Sequence, residues 1–232
     1  MDKTFDPTDI VGATFWLITI AMVATAVFLF LENRRVVDRW KTPVAVSGVV
    51  ALISAVNYFY LTDVWATTGA ASTVYRFVDW QLTVPLQSVS FYLVLMAVAS
   101  VPAALFWRLL VASVVTIGAA YLGAAGYMSP TLGILIAVAG GLYILGEVYL
   151  GEASKINSAS GNDVAQSTFN GLRLIATIGW AIYPLGYFME FLGGGVDGAS
   201  LNVIYNLADF LNKIAFGLVI YRAAVRDTAS RA

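Results

Sequence analysis

Four ionisable residues lie deep within long apolar stretches of the chain: Arg76, Asp79, Asp209 and Lys213. Arg76 and Asp79 are three positions apart, and Asp209 and Lys213 are four apart, so each pair would share one face of a helix. Their formal charges sum to zero, as expected of a buried ion cluster. Because an unpaired charge in lipid costs several kcal/mol, such residues indicate a functional site. The alternative is a structural ion-pair network of the kind found in transporters.

Aromatic residues accompany these charges. Trp80 follows Asp79 directly, and Trp180, Tyr183 and Tyr187 surround Pro184 in a later apolar stretch. Together they could line a slot for a long, flat ligand, although ordinary aromatic packing is the alternative interpretation.

The composition indicates that lipid is the solvent around these residues. Of 232 residues, 59% are hydrophobic and only 12% are charged, whereas soluble domains are about a quarter charged. The chain has no cysteine, which excludes disulfide and thiolate chemistry, and no histidine, which excludes a usual zinc site and a histidine base. We therefore expect no metal site. The net charge of −1 gives no reason to expect a nucleic-acid partner.

Seven apolar runs are each long enough to cross a bilayer as a helix. They lie near Ile10–Leu31, Pro43–Leu61, Thr73–Ser100, Pro102–Tyr121, Thr131–Leu150, Ser167–Phe191 and Ser200–Tyr221. The connections are short, and they include a polar one with the sequence EASKINSASGND. The runs lack the alternation of a membrane barrel. We therefore predict an all-α, multi-pass protein of the cell membrane, with residues 1–232 forming a single seven-transmembrane-helix domain.

The basic residues predict the orientation of this bundle. Nearly all of them fall on one side of a seven-span chain: Arg34, Arg35, Arg39, Lys41, Arg108, Lys155, Arg173, Arg222, Arg226 and Arg231. Lys3 alone falls on the other side. By the positive-inside rule the N-terminus lies outside and the C-terminus lies in the cytoplasm.

Three long motifs resemble the proteorhodopsins, a group of the microbial (type 1) rhodopsins. They are RFVDWQLTVPLQ (Arg76–Gln87), GWAIYPLGYF (Gly179–Phe188) and YNLADFLNKIAFG (Tyr205–Gly217). The resemblance covers the third to seventh spans well and the first two loosely. Because the motifs fall in the appropriate helices, the combined signal is much stronger than a single short pattern.

The resemblance implies a role for each charged residue. Lys213 would hold all-trans retinal as a protonated Schiff base, and Asp79 would be its primary counterion and proton acceptor. Asp209 would be a second counterion, and Arg76 would complete the cluster. Thr83 would tune the Asp79 carboxylate by a hydrogen bond.

The resemblance also places residues around the polyene. Trp80, Trp180, Tyr183 and Pro184 would pack against it. Gln87 would lie near it, because glutamine at the matching position marks the blue-absorbing proteorhodopsins.

Two positions depart from the family pattern. Ser90, eleven positions after Asp79, stands where a carboxylic acid usually donates the returning proton, about 16 Å to the cytoplasmic side. A serine hydroxyl does not titrate in this range, so at best it organises a water chain. Asn57 stands where proteorhodopsins typically have a histidine, so histidine-coupled pH behaviour should be missing.

The resemblance favours a light-driven outward proton pump rather than an enzyme. The alternative is a slow-cycling sensory photoreceptor that works through a transducer, and a retinal-free membrane protein is a third possibility. The expected partners are the lipid bilayer and protons, and the resemblance implies a ring of five or six copies. Binding of a carotenoid antenna stays open: Gly133 and Gly140–Gly141 could open the wall of the fifth helix or could serve close packing.

Overall fold

The computed structural model describes residues 8–71, 73–193 and 195–230. In these ranges the regular structure is helical. The helices are α1 (Ile10–Glu32), α2 (Asp38–Thr68), α3 (Thr73–Met96), α4 (Ala103–Ala124), α5 (Pro130–Tyr149), α6 (Glu152–Ala159), α7 (Asp163–Trp180), α8 (Ile182–Phe191), α9 (Gly198–Asp209) and α10 (Phe216–Ala229). A short 3-10 turn, Asn33–Arg35, follows α1, and a π-helical segment, Phe210–Ala215, joins α9 to α10.

These elements form the seven predicted spans. Helices α1 to α5 are the first five, α7 and α8 together form the sixth, and α9, the π-helical segment and α10 form the seventh. Consecutive helices pack side by side from α1 to α5, while α10 packs on α2 and α7, and α9 packs on α1, so that the bundle closes. Helix α6 occupies the connection that the sequence suggested to be simply polar.

In the described ranges, six of the spans are long and apolar enough to cross a membrane by length and composition. Helix α3 falls short because it carries Arg76 and Asp79 together with several buried hydroxyl and amide side chains. Large apolar side chains such as Leu17, Phe59 and Leu135 project outward with more than half of their surface exposed, as a lipid-facing surface requires.

The sixth span is interrupted close to its aromatic residues Trp180 and Tyr183. Helix α7 ends at Trp180, four residues before Pro184, and α8 begins at Ile182. Proline has no N–H to donate, and its ring collides with the carbonyl group four residues earlier. This explains why the helix breaks at Trp180.

The cytoplasmic end of the bundle, identified by the predicted orientation, has a dense apolar interior. We call it the cytoplasmic plug; its main members are Leu29, Trp40, Phe91, Leu95, Phe169, Leu172, Phe216 and Ile220. Each of these side chains is at most 2% exposed. The basic residues that were assigned to the cytoplasmic side lie around this end, apart from Arg231, which is outside the described residues. Lys3, assigned to the other side, is also outside the described residues.

Candidate functional site

Lys213 lies at the centre of a buried ion cluster. Its Nζ donates a hydrogen bond to Asp79 Oδ2 and is 3.1 Å from Asp209 Oδ2. All three side chains are 1% exposed. The structure thus brings together, across α3 and the seventh span, the two predicted carboxylates and the predicted lysine. Because each buried charge has a partner, the cluster is compatible with the membrane interior.

The two carboxylates have different surroundings. Asp209 accepts hydrogen bonds from Tyr58 Oη at 2.7 Å, from Tyr183 Oη at 2.6 Å and from Trp80 Nε1 at 3.2 Å. Asp79 accepts a hydrogen bond from Ser54 Oγ at 2.8 Å besides the one from the lysine. Hydrogen bonds to a carboxylate favour its charged form, so Asp209 is held more firmly in that form than Asp79.

Thr83 does not form the hydrogen bond expected of it. Its hydroxyl donates to the backbone carbonyl of Asp79 at 3.0 Å, as hydroxyl side chains in helices often do. Ser54, on α2, supplies the hydrogen bond to the carboxylate instead. Asn57 lies three residues further along α2, and its buried Nδ2 has no hydrogen-bond partner among the described residues.

Arg76 joins the cluster through a hydroxyl group. Its Nη1 donates to Tyr58 Oη at 2.9 Å, and Tyr58 in turn donates to Asp209. Its Nη2 donates to Asn202 Oδ1 at 2.8 Å and to Asn206 Oδ1 at 2.7 Å. The guanidinium group therefore carries the hydrogen-bond network from Asp209 towards the extracellular ends of α3 and α9.

An apolar cavity of about 260 Å³ lies beside the cluster. Among its lining residues are Phe77, Trp80, Val84, Ile117, Ala137, Gly141, Leu145, Trp180, Tyr183, Pro184, Tyr187 and Tyr205. All four residues that the sequence suggested to pack a polyene belong to this lining. Trp80 and Tyr183 also hydrogen-bond to Asp209, so the cavity wall joins the surroundings of Lys213. An elongated apolar ligand attached to that lysine fits this arrangement.

The remaining predicted residues lie on the cytoplasmic side of the lysine. Gln87 is 2% exposed, and its Nε2 donates to the backbone carbonyl of Asn212 at 2.6 Å. Asn212 precedes Lys213 in the π-helical segment, so Gln87 contacts the backbone beside the lysine. Ser90 is 1% exposed, and its hydroxyl donates to Leu86 O at 2.8 Å.

Sequence reasoning missed several residues of this site. Ser54 and Tyr58 on α2 contact the two carboxylates, and Asn202 and Asn206 on α9 hold the guanidinium group. A signal was present in both helices: each pair is spaced four residues apart, which places two polar side chains on one face of an apolar helix.

Comparison with known proteins identifies the family. The profile of the family described as "Bacteriorhodopsin-like protein" matches residues 9–226. The chain belongs to this family. It is 45% identical to the blue-light absorbing proteorhodopsin of Gamma-proteobacterium Hot 75m4 over 227 residues, which covers 97% of this chain and 90% of the relative. Its identity to the green-light absorbing proteorhodopsin of Gamma-proteobacterium EBAC31A08 is 44%, with the same coverage.

A solved structure agrees with this assignment. The crystal structure of the blue light-absorbing proteorhodopsin from Med12 superposes with a TM-score of 0.80 at 40% identity, covering 94% of this chain and all of that one. The chain is therefore a seven-helix, multi-pass membrane protein of the rhodopsin family. Its cofactor is retinal, which the family binds covalently through a lysine, and Lys213 is present beside a cavity that fits it.

Proposed function

We propose that the chain is a light-driven outward proton pump in which Lys213 carries the retinal and Asp79 accepts the proton. The observation that carries this proposal is the position of Lys213 Nζ between two carboxylates. One of them, Asp209, accepts more hydrogen bonds from other side chains than Asp79 does. Retinal attached to Lys213 supplies the absorption of light and a change of shape that moves the nitrogen atom. The similarity to blue-light and green-light absorbing proteorhodopsins supports the light-driven part of this proposal.

The different surroundings of the two carboxylates support Asp79 as the proton acceptor. Three donors hold Asp209 in its charged form, whereas Asp79 has Ser54 as its other side-chain donor. A proton that leaves Lys213 Nζ therefore goes to Asp79 Oδ2, with which the nitrogen atom is already in hydrogen-bond contact. Asp209 keeps its charge and continues to balance Arg76.

The residues on either side of the ion cluster support the outward direction. From Asp209 a chain of hydrogen bonds runs through Tyr58 and Arg76 to Asn206, whose amide donates to Thr14 near the start of α1. The cytoplasmic plug occupies the other side. Asp79 is connected to this chain through Lys213 Nζ, which contacts both carboxylates, and the positive-inside rule predicts that the chain lies on the exterior side.

The pump can be tested by illuminating unbuffered cells that produce the protein. We expect the medium to acidify in the light and the change to vanish with a protonophore. Asp79→Asn should keep the visible colour but abolish the acidification, because an amide cannot accept the proton. An exposed carboxylate, Asp63, gives the matched control Asp63→Asn, which should pump normally. Absence of light-driven acidification in the coloured, unaltered protein would favour a photosensor.

A further inference from the structure

An open groove lies between α4 and α5 on the side of the bundle predicted to be cytoplasmic. Its volume is about 390 Å³, and it is lined by Trp107, Arg108, Val111, Ala112 and Tyr143. The side chains of Trp107, Val111 and Tyr143 are between 47% and 59% exposed, so the groove opens to the lipid around the bundle. It shares no lining residue with the cavity beside Lys213.

The groove lies near the cytoplasmic ends of both helices. Arg108 is five residues after the start of α4, which is about 7–8 Å along the helix, and Tyr143 is six residues before the end of α5, about 9 Å. Tryptophan and tyrosine are enriched at this depth, where lipid headgroups meet hydrocarbon. Val111 and Ala112 lie one helical turn deeper than Arg108. The groove therefore has a polar end towards the water and an apolar end towards the hydrocarbon.

An ion triad forms the polar end. Arg108 Nη2 donates hydrogen bonds to Glu152 Oε2 at 2.5 Å and to Glu147 Oε1 at 3.3 Å. The side chain of Glu147 is only 10% exposed, and its Oε1 also accepts from the backbone N–H of Ala153. The side chain of Glu152 is 39% exposed. Because one guanidinium group faces two carboxylates, the triad has a formal charge of −1, and Glu152 is its accessible carboxylate.

The guanidinium group of Arg108 has donors to spare. Neither Nε nor Nη1 has a hydrogen-bond partner among the described residues. The side chain is 36% exposed, so an anion in the groove can approach it. Guanidinium groups bind phosphate oxygens well, and a carboxylate such as that of Glu152 can accept several hydrogen bonds at once. The triad is thus complementary to a headgroup that carries both a phosphate and an ammonium group.

We propose that this groove binds one molecule of phosphatidylethanolamine from the cytoplasmic leaflet. The phosphate accepts hydrogen bonds from Arg108, the primary ammonium group donates to Glu152, and an acyl chain lies along Val111 and Ala112. The site is distinct from the retinal cavity and the ion cluster. Binding therefore needs neither light nor proton transport.

The charges of the triad favour this headgroup over two other common ones. Phosphatidylglycerol would add a negative charge beside two carboxylates and supply no cation for Glu152. Phosphatidylcholine has the same net charge as phosphatidylethanolamine, but its trimethylammonium group has no N–H to donate. Aromatic side chains such as Trp107 and Tyr143 can attract choline through cation–π contacts, which would reverse this order. The headgroup preference therefore discriminates between recognition by the triad and recognition by the aromatic rings.

The test counts the lipids that stay with the protein. The full-length, retinal-bound protein is transferred from nanodiscs with equal amounts of dioleoyl phosphatidylethanolamine and dioleoyl phosphatidylcholine into mild detergent, and native mass spectrometry identifies the retained lipid. We expect phosphatidylethanolamine to be preferred about two- to fivefold, the range that one exposed ion pair supports. The N-methyl and N,N-dimethyl headgroups should fall between the two. Equal retention, or a preference for phosphatidylcholine, would overturn the proposal.

One pair of variants tests the ammonium contact. Glu152→Gln should abolish the preference for phosphatidylethanolamine, because the amide has no charge to offer. Asp38→Asn removes another carboxylate paired with a cation on the cytoplasmic side, that of Lys41, and should keep the preference. The visible band shows whether each variant folds. A preference that survives in Glu152→Gln would mean that the ammonium group does not bind there.

A second pair tests the position of the groove without touching the triad. Val111→Trp places a large ring in the apolar end and should abolish the preference. Val115 lies one turn further along α4, is 48% exposed and does not line the groove, so Val115→Trp should retain the preference. An unchanged preference in Val111→Trp would show that the lipid binds elsewhere. If Glu152→Gln does not fold, this pair and the N-methyl series decide the matter.

Discussion

On the extracellular side of Lys213 the interior is polar and hydrogen-bonded, whereas on the cytoplasmic side tightly packed apolar side chains predominate. The extracellular half holds Arg76, Tyr58 and two asparagines in one continuous network. The cytoplasmic half holds the plug, in which the ring of Phe91 contacts those of Phe169 and Phe216. A path for protons is thus largely in place on one side and must be opened on the other.

Because of this asymmetry, proton release and proton uptake should need different changes in the protein. On the extracellular side a proton can move between fixed groups without a large rearrangement. On the cytoplasmic side Gln87 and Ser90 of α3 are buried, and each donates a hydrogen bond to a backbone carbonyl. Neither can store a proton, so uptake requires water to enter the plug transiently. We therefore expect uptake to be the slow step.

The largest expected effect concerns the residue at the boundary of the two halves. Lys213→Ala should give a colourless protein that forms no visible band with all-trans retinal, because the variant lacks the buried amine beside the cavity. The matched control is Lys155→Ala in the α6 connection, which should keep its full colour. Absorption spectra after addition of retinal decide this. A surviving visible band in Lys213→Ala would mean that retinal is not attached to Lys213. This residue would then no longer mark the boundary between the two halves.

The second prediction tests the cytoplasmic half directly. In the unaltered protein, reprotonation of Lys213 should slow about tenfold for each unit of rising pH, because the proton comes from bulk solvent; a tenfold change corresponds to about 1.4 kcal/mol of barrier. Azide, a small permeant acid, should accelerate it. Ser90→Glu should make the step faster and less dependent on pH, provided that burial keeps the new acid protonated. Flash photolysis across the neutral range measures all three effects.

Fast and pH-independent reprotonation in the unaltered protein would contradict this account. It would mean that an internal donor exists in the cytoplasmic half, and the contrast between the halves would be weaker than the packing suggests. Ser90→Ala is the matched control. It should behave like the unaltered protein, because the hydroxyl contributes one hydrogen bond to Leu86 O and no stored proton.

The ion cluster could be predicted from the sequence because its members violate the apolar pattern. A charge within a span must be paired, and helical spacing determines which charges share a face. The lengths of the apolar runs predicted the seven spans. The second apolar run ends at Leu61, but α2 continues to Thr68. A helix need not stop where the apolar run stops.

The contacts of Ser54 and Tyr58 were not predictable in the same way. Which face of α2 meets α3 and the seventh span depends on helix rotation and tilt, which are set by packing against neighbouring helices. The π-helical segment is a second example. Its wider turn holds Lys213, and π turns of this kind often mark functional sites, but composition alone does not distinguish one from an ordinary helical turn.

The third prediction concerns the stability of the cytoplasmic half. Asp227, 3% exposed, accepts hydrogen bonds from Arg39 Nε at 2.8 Å and from Trp40 Nε1 at 3.0 Å, which ties α10 to α2. Asp227→Asn should lower the free energy of unfolding by about 1–3 kcal/mol, since the Arg39 charge loses its charged partner. The measurement is thermal loss of the visible band. Asp38→Asn, in an exposed pair with Lys41, should leave the thermal loss of the visible band almost unchanged, because exposed ion pairs contribute little to stability.

The smallest expected effect is one of colour, at the point where the two halves meet. Gln87 places a polar amide against the backbone beside Lys213, through its hydrogen bond to Asn212 O. Such an amide favours the ground-state charge distribution of the chromophore over the excited one. Gln87→Leu should therefore shift the visible band modestly to the red.

The control for this shift lies on the same helix. Gln81 is partly exposed on α3, and its amide donates to Val114 O at 3.4 Å, away from the lysine. Gln81→Leu removes the same chemical group and should leave the band where it is. A red shift in both variants would point to a general effect of polarity in α3. No shift in Gln87→Leu, or a blue shift, would mean that Gln87 does not act on the chromophore, and the polar influence on Lys213 would then come from the extracellular half alone.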